Sequence, residues 1–213
     1  MACSAEGRIS TFPTPHKCSI MSKGTRKLQT LDTACEKVNS LLDSMQKQSL
    51  DWNARTFRDT GCFLAHAERD GVIYKQDKLS QTDMPQRATS SKMCIRMQVA
   101  QYMGNPFGVM HGGCIATIVD SFSSCLLQLH TSGELGDPWA MMGVSQMLTI
   151  HYLKPTHVGH WIEVETTMVS LGKTSCLMSV DIYDLESPDG KRTTHTITAT
   201  HTKVDVRPSR AKL

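Results

Sequence analysis

The 213-residue chain has no uninterrupted run of about 18 apolar residues, so no segment reads as a transmembrane helix, and residues 1–30 lack the apolar stretch of a secretory signal. A soluble protein without stable membrane insertion is expected. Long Lys/Arg blocks and interleaved aromatics are also missing, and the formal net charge is only +3. No nucleic-acid footprint is therefore present, although a polyanionic small ligand remains compatible. None of the eight cysteines, at positions 3, 18, 35, 62, 94, 114, 125 and 176, makes a C-x-x-C pair. They read as reduced thiols in an intracellular compartment. Cys114 and Cys125 fall about 16 Å apart along a helix, beyond disulfide reach, and read as small buried hydrophobes. Ser121, Ser123 and Ser124 have no G-x-S-x-G elbow around them, which disfavours a serine-hydrolase mechanism. His151, His157 and His160 surround a Val-Gly turn with only Glu163 nearby, so no metal site is expected.

The hydrophobic pattern that is present organises the chain. Val38, Leu41, Leu42 and Met45 recur at helical spacing and predict a leading helix near 33–50, with Asp32 or Thr33 as its N-cap. Strand texture follows at 62–67 and 92–100, where Met93, Ile95, Met97 and Val99 alternate with more polar neighbours. Residues 110–130 switch to spacings of three and four through Ile115, Val119, Phe122 and Leu126, which predicts a long buried helix. Alternation then returns around Leu148–Tyr152, 162–168, 176–182 and 196–202, separated by turns at 154–155, 171–173 and 187–190. An antiparallel meander curved around one helix is implied, an α+β layer pair. Residues 1–50 read as a partly disordered N-terminal extension with that leading helix, 51–207 as one domain, and 208–213 as a tail.

The densest unusual signal is Gly108-Val109-Met110-His111-Gly112-Gly113, where a strand gives way to the long helix. A helix N-terminus offers backbone N–H groups without intrahelical partners, and glycine lets a ligand approach them. An oxyanion can be held there, and one good donor is worth about 3 kcal/mol to a transition state that develops charge on oxygen. Gly-Gly alone equally suits a tight turn. Asp120, a carboxylate in an apolar helix, asks for a partner or a function, capping of a neighbouring amide included. Nine residues separate it from His111, about 13 Å along the axis and on the opposite side. If both serve one site, that site lies between two copies of the chain.

Asn105, Gly108, His111, Gly112, Gly113 and Asp120 spell N-x-x-G-x-x-H-G-G followed by a helical Asp, and the chain resembles the hotdog-fold acyl-CoA thioesterases of the phenylacetate-degradation type. Gly143-Val144-Ser145, Tyr152-Leu153-Lys154-Pro155 and Gly172-Lys173-Thr174 resemble later signatures of the same family, over roughly residues 62–204. The resemblance implies a hotdog domain that hydrolyses a fatty or aryl acyl-CoA, with no cofactor, CoA being part of the substrate. Gly112 would offer its amide to the thioester carbonyl, and Asn105 and His111 would hold the substrate and its sulfur. Asp120 of a partner subunit would act as general base or nucleophile, with Ser145 positioning the attacking group. Burial between subunits would raise the Asp120 pKa toward useful values. Tyr152, Leu153, Lys154 and Pro155, together with Gly172, Lys173 and Thr174, would line the CoA site, the two lysines meeting phosphates. A homodimer is the implied minimal unit and a homotetramer the expected assembly. A non-catalytic acyl-CoA-binding module and a hotdog hydratase or dehydratase are the competing readings. The loop at 133–139 and the N-terminal extension depart from the short family members.

Two address labels compete. Ala211-Lys212-Leu213 follows the small, basic, leucine pattern read by a peroxisomal import receptor. Arg8, Lys17, Lys23, Arg26 and Lys27 against Glu6 resemble a mitochondrial presequence, although Pro13 and Pro15 interrupt any helix there. A peroxisomal location is the first expectation, with mitochondrion or cytosol as alternatives.

Overall fold

The computed structural model describes residues 28–47, 56–74, 88, 90–134 and 136–206. The presequence-like residues and the Ala211-Lys212-Leu213 signal lie outside the described residues.

Helix α1 runs Leu31–Lys47 and buries Leu31, Ala34, Cys35, Val38 and Leu42. Its start differs from the expected one. Thr30 is the cap, its Oγ1 accepting the Thr33 N–H at 3.1 Å, because the helix begins two residues earlier than the apolar spacing alone suggests.

Among the described residues seven strands form one antiparallel sheet: β1 (Phe63–Arg69), β2 (Val72–Ile73), β3 (Ser91–Gln98), β4 (Val144–Tyr152), β5 (Trp161–Leu171), β6 (Ser175–Leu185) and β7 (Arg192–Val204). The order is β2-β1-β3-β5-β6-β7-β4. Only β5, β6 and β7 make the expected meander, since β4 pairs with the far side of β7, from Val144↔Val204 to Tyr152↔Ile197. With the long helix inserted between β3 and β4, the chain closes β3 onto β5 and carries β4 to the outer edge. That edge is where Val144, Met147 and Tyr152 stand at least half exposed.

The central helix α2 spans Gly112–Leu126 and continues as a 3-10 turn, Leu127–His130. The apolar pattern is the same in both pieces, so the expected six-turn helix is four turns of α-helix with a tightened end. By length and composition Gly112–His130 would pass as a membrane span at mean hydropathy 1.3, yet two thirds of it, 67%, is buried under the sheet. Met93, Ile95 and Met97 of β3, Ile162 and Val164 of β5, Met178, Val180 and Ile182 of β6 and Ile197 of β7 alternate inward to meet Ile118, Val119 and Phe122. Phe122 stacks on Phe57 at 5.0 Å between ring centroids. Cys125 is fully buried as expected, whereas Cys114, one turn into the helix, is half-buried.

The connection from α2 to β4 is pinned rather than loose. Asp137 accepts from the Ser132 N–H at 2.8 Å and the Thr131 hydroxyl at 3.2 Å, and Trp139 is only 1% exposed. Gly143 has φ +61°, and a Cβ there would sit 2.6 Å from the Val204 carbonyl oxygen, so only glycine delivers the chain into β4 at this point.

Candidate active site

The N-terminal end of α2 is built by a tight reversal. Asn105 N–H donates to the Val109 carbonyl at 2.8 Å, Gly108 N–H returns to the Asn105 carbonyl at 3.0 Å, and the Asn105 side-chain oxygen accepts the Phe107 N–H at 2.9 Å. Gly108 takes φ +73°, which the turn requires. His111 is the N-cap: its Nδ1 accepts the Gly113 N–H at 3.0 Å, which leaves the proton of the neutral ring on Nε2. Cys114 and Ile115 N–H groups both reach the His111 carbonyl. The Gly112 N–H and the Asn105 side-chain NH2 donate to nothing among the described residues. Tyr152 reaches over from β4 to donate its hydroxyl to the Gly112 carbonyl at 3.3 Å. A Cβ on Gly112 would meet that hydroxyl oxygen at 3.2 Å, and one on Gly113 would meet His111 Nδ1 at 3.1 Å, so the double glycine is what lets both rings close over the helix end.

Asp120 stands two turns further on and beside the other end of β4. Ser145 donates its hydroxyl to Asp120 Oδ1 at 2.5 Å across 25 residues of chain. In the single chain the Asp120 side chain is 46% exposed, because α2 passes the open edge of the sheet there. Oδ2 accepts nothing from the described residues.

Two residues behind Asp120 escaped the sequence reading. His201 is completely buried; its Nδ1 pairs with the Ser123 hydroxyl at 2.6 Å, and its Nε2 lies 3.3 Å from Asp120 Oδ1, in contact but off the line of a hydrogen bond. Burial, with the Lys203 charge beside it, pushes its pKa down to about 4 against the pull of Asp120. Lys203, 4% exposed, donates to the Ser124 hydroxyl at 2.6 Å, and Ser124 in turn donates to the Asp120 backbone carbonyl at 2.6 Å. The signal was parity: both share the inward face of β7 with Ile197 and Ala199.

The expected CoA-binding residues separate into two groups. Tyr152, Leu153, Lys154 and Pro155 are exposed at the His111 end of β4, where the Leu153 and Lys154 N–H groups hold the Thr196 carbonyl. Gly172, Lys173 and Thr174 form the exposed β5–β6 turn, tied by Asp205 N–H to the Thr174 carbonyl, at the Ser145 end. Seven residues at about 3.3 Å each put Ser145 and Tyr152 roughly 23 Å apart along β4. One chain thus holds His111, Gly112, Asn105 and Tyr152 at one end of the edge strand, and Asp120, Ser145 and the 172–174 turn at the other. Of the three histidines near the 155–160 turn, His160 pairs with Asp184 at 3.1 Å and packs its ring against His157 at 5.3 Å between centroids.

Residues 107–191 match the family model described as Thioesterase superfamily. Acyl-coenzyme A thioesterase 13 of Mus musculus is 35% identical over 95 residues, which is 45% of this chain and 63% of that protein. Its Homo sapiens counterpart is 34% identical over the same shares, so the chain spans less than two thirds of the curated relatives it matches. Among solved structures, zebra fish thioesterase superfamily member 2 superposes with a TM-score of 0.54 at 22% identity, covering 81% of this chain and 98% of that one. The Mus musculus member 2 structure gives 0.53 at 20% identity over 80% and 96%. The curved antiparallel sheet around α2 is the hotdog fold, and within it residues 107–191 are similar to the thioesterase superfamily.

Proposed function

We propose that this protein hydrolyses acyl-CoA thioesters to a free acid and CoA, at sites assembled between two copies of the chain. The observation that carries this reading is the Asp120–Ser145 pair on the open edge strand of a domain similar to the thioesterase superfamily, whose Gly112 amide is unspent. The acyl-CoA thioesterase names of the curated relatives support the substrate class.

Among the described residues strand β4 is an unpaired edge on its outer side, and a twofold antiparallel pairing about its middle sets Ser145 opposite residue 151 or 152 of the second copy. Asp120 then approaches the partner subunit's Gly112, and the 172–174 turn approaches the partner subunit's Lys154. The two half-sites that one chain keeps apart become complementary. In such a site the Gly112 N–H, aided by the Asn105 amide, polarises the thioester carbonyl and gathers the charge that develops on its oxygen. Ser145 occupies Oδ1 of Asp120 and leaves Oδ2 to take a proton from water as its oxygen attacks the carbonyl carbon, or to attack that carbon itself and form an acyl anhydride that water then hydrolyses to the free acid. The carbon–sulfur bond breaks, and His111 Nε2–H is placed to donate toward the departing sulfur. Lys154 and Lys173 supply cations for the CoA phosphates. No metal or other cofactor is needed for these steps. Delivery to peroxisomes through Ala211-Lys212-Leu213 belongs to the same proposal; deleting these residues should disperse a punctate fusion protein into the cytosol.

The test is thiol release from a panel of acyl-CoAs by the purified chain beside Asp120→Ala. Turnover on at least one chain length, reduced 100-fold or more in the variant, is expected. Binding without thiol release would favour a non-catalytic acyl-CoA module, and hydration of an enoyl-CoA would favour the dehydratase branch.

A further inference from the structure

The hydrolytic steps above leave unused a buried cation on the strand behind Asp120. Lys203 is 4% exposed, makes no ion pair among the described residues, and donates to a single neutral hydroxyl, Ser124 Oγ, at 2.6 Å. A buried ammonium without a counter-ion is expensive, and an apolar residue would fill the same inward position of β7 at less cost. Its surroundings point to one beneficiary. Ser124 passes the contact to the Asp120 backbone carbonyl at 2.6 Å, and in the β4–β7 ladder Lys203 lies directly opposite Ser145, where the register slips between Ser145 and Met147. The cation therefore touches the helix that carries Asp120 and backs the strand that carries Ser145.

We infer that Lys203 is a positioning residue that serves as the internal counter-charge of Asp120 and holds its carboxylate aligned with Ser145. The inference rests on the hydrolase reading for its purpose, but the coupling itself is a property of the folded chain. The ionisable groups facing this pair are His201 on β7, Cys176 on β6 and Cys125 on α2. His201 is held neutral by burial down to about pH 4, and the two thiols are pushed up to about 11 and about 12, so all three are uncharged near neutrality. Among the described residues, Lys203 is then the only full charge behind Asp120. Burial lowers the Lys203 pKa, and the Asp120 charge opposes that shift only in part.

The experiment follows the Asp120 carboxyl carbon by NMR titration of aspartate-labelled full-length protein, with Asp120→Asn assigning the signal. Lys203→Met and Lys203→Gln remove the charge, and Lys203→Arg keeps it. The Asp120 midpoint should rise by about one pH unit in Met and Gln and stay within a few tenths in Arg. In the thioesterase assay the acid limb of kcat should move by the same amount, whereas a purely structural role would lower the plateau without moving the limb. An unchanged Asp120 midpoint in folded Lys203→Met or Lys203→Gln would overturn the inference. A shifted midpoint in a chain that hydrolyses no acyl-CoA would keep the coupling and remove the hydrolase reading instead.

Discussion

The two ends of the central helix are made from similar residue types and put to opposite use. At the C-terminal end, Arg69 is 6% exposed and donates to the Gln29 and Leu129 carbonyls at 2.9 and 3.1 Å, and Gln29 donates to the Gln128 carbonyl. His130 pairs with the Ser91 hydroxyl, and the whole cluster is covered where α1 begins. Donors there are spent on the last carbonyls of the helix, which otherwise would lack partners. At the N-terminal end the Gly112 N–H and the Asn105 amide remain unspent, and the acid of the next turns, Asp120, stands at an open sheet edge. One end holds the fold together and the other is left available to a ligand.

Substitutions at the two ends should separate stability from activity. The largest effect belongs to the open end: Asp120→Ala should cost turnover 100-fold or more while moving the melting temperature by no more than a few degrees, since its carboxylate is half exposed. Arg69→Met should do the reverse. Loss of two bonds to buried carbonyls should destabilise the chain by about 2–4 kcal/mol, lowering Tm by roughly 5–10 °C, with turnover per folded molecule unchanged.

Acidification should affect both ends through their imidazoles. His130 and His201 are each held down to about 4 from 6.5, burial being the main cause, so the unfolded chain binds more protons between those values. Folded stability should therefore fall as pH drops from about 6.5 toward 4, by roughly a few kcal/mol in all, and change little between about pH 7 and 8. A Tm series over pH 4–8 checks this, and His130→Asn should flatten part of the slope without touching turnover at neutral pH. The smallest effect is at Tyr152, whose hydroxyl makes a single 3.3 Å bond to the Gly112 carbonyl. Tyr152→Phe should lower kcat/KM only a few-fold, visible in steady-state kinetics.

Much of this contrast was legible in the sequence, and the reasons are local. The switch from period two to spacings of three and four marked α2, and the glycines before that apolar helix with its one aspartate singled out the helix start and the carboxylate that stands at the open sheet edge. Helix rise alone separated His111 from Asp120. Strand pairing was less legible, because nothing in residues 144–152 says which neighbour they choose; inserting α2 before β4 sends that strand to the far edge, which an alternation pattern does not encode. His201 and Lys203 read as part of a polar Thr-rich strand, although their parity with Ile197 placed them inside. The Arg69 cluster joins residues 29, 69, 91 and 128–130, contacts too distant in sequence for any periodicity to announce.

A site shared between copies is tested most directly by subunit mixing. Asp120→Ala and Gly112→Val each disable one half-site, the latter by crowding the Tyr152 hydroxyl. After co-refolding equal amounts, half of the dimers carry one of each, and each mixed dimer has one intact site out of two. About a quarter of wild-type thioesterase activity should return. Mixtures no more active than the two variants measured separately would contradict the shared site.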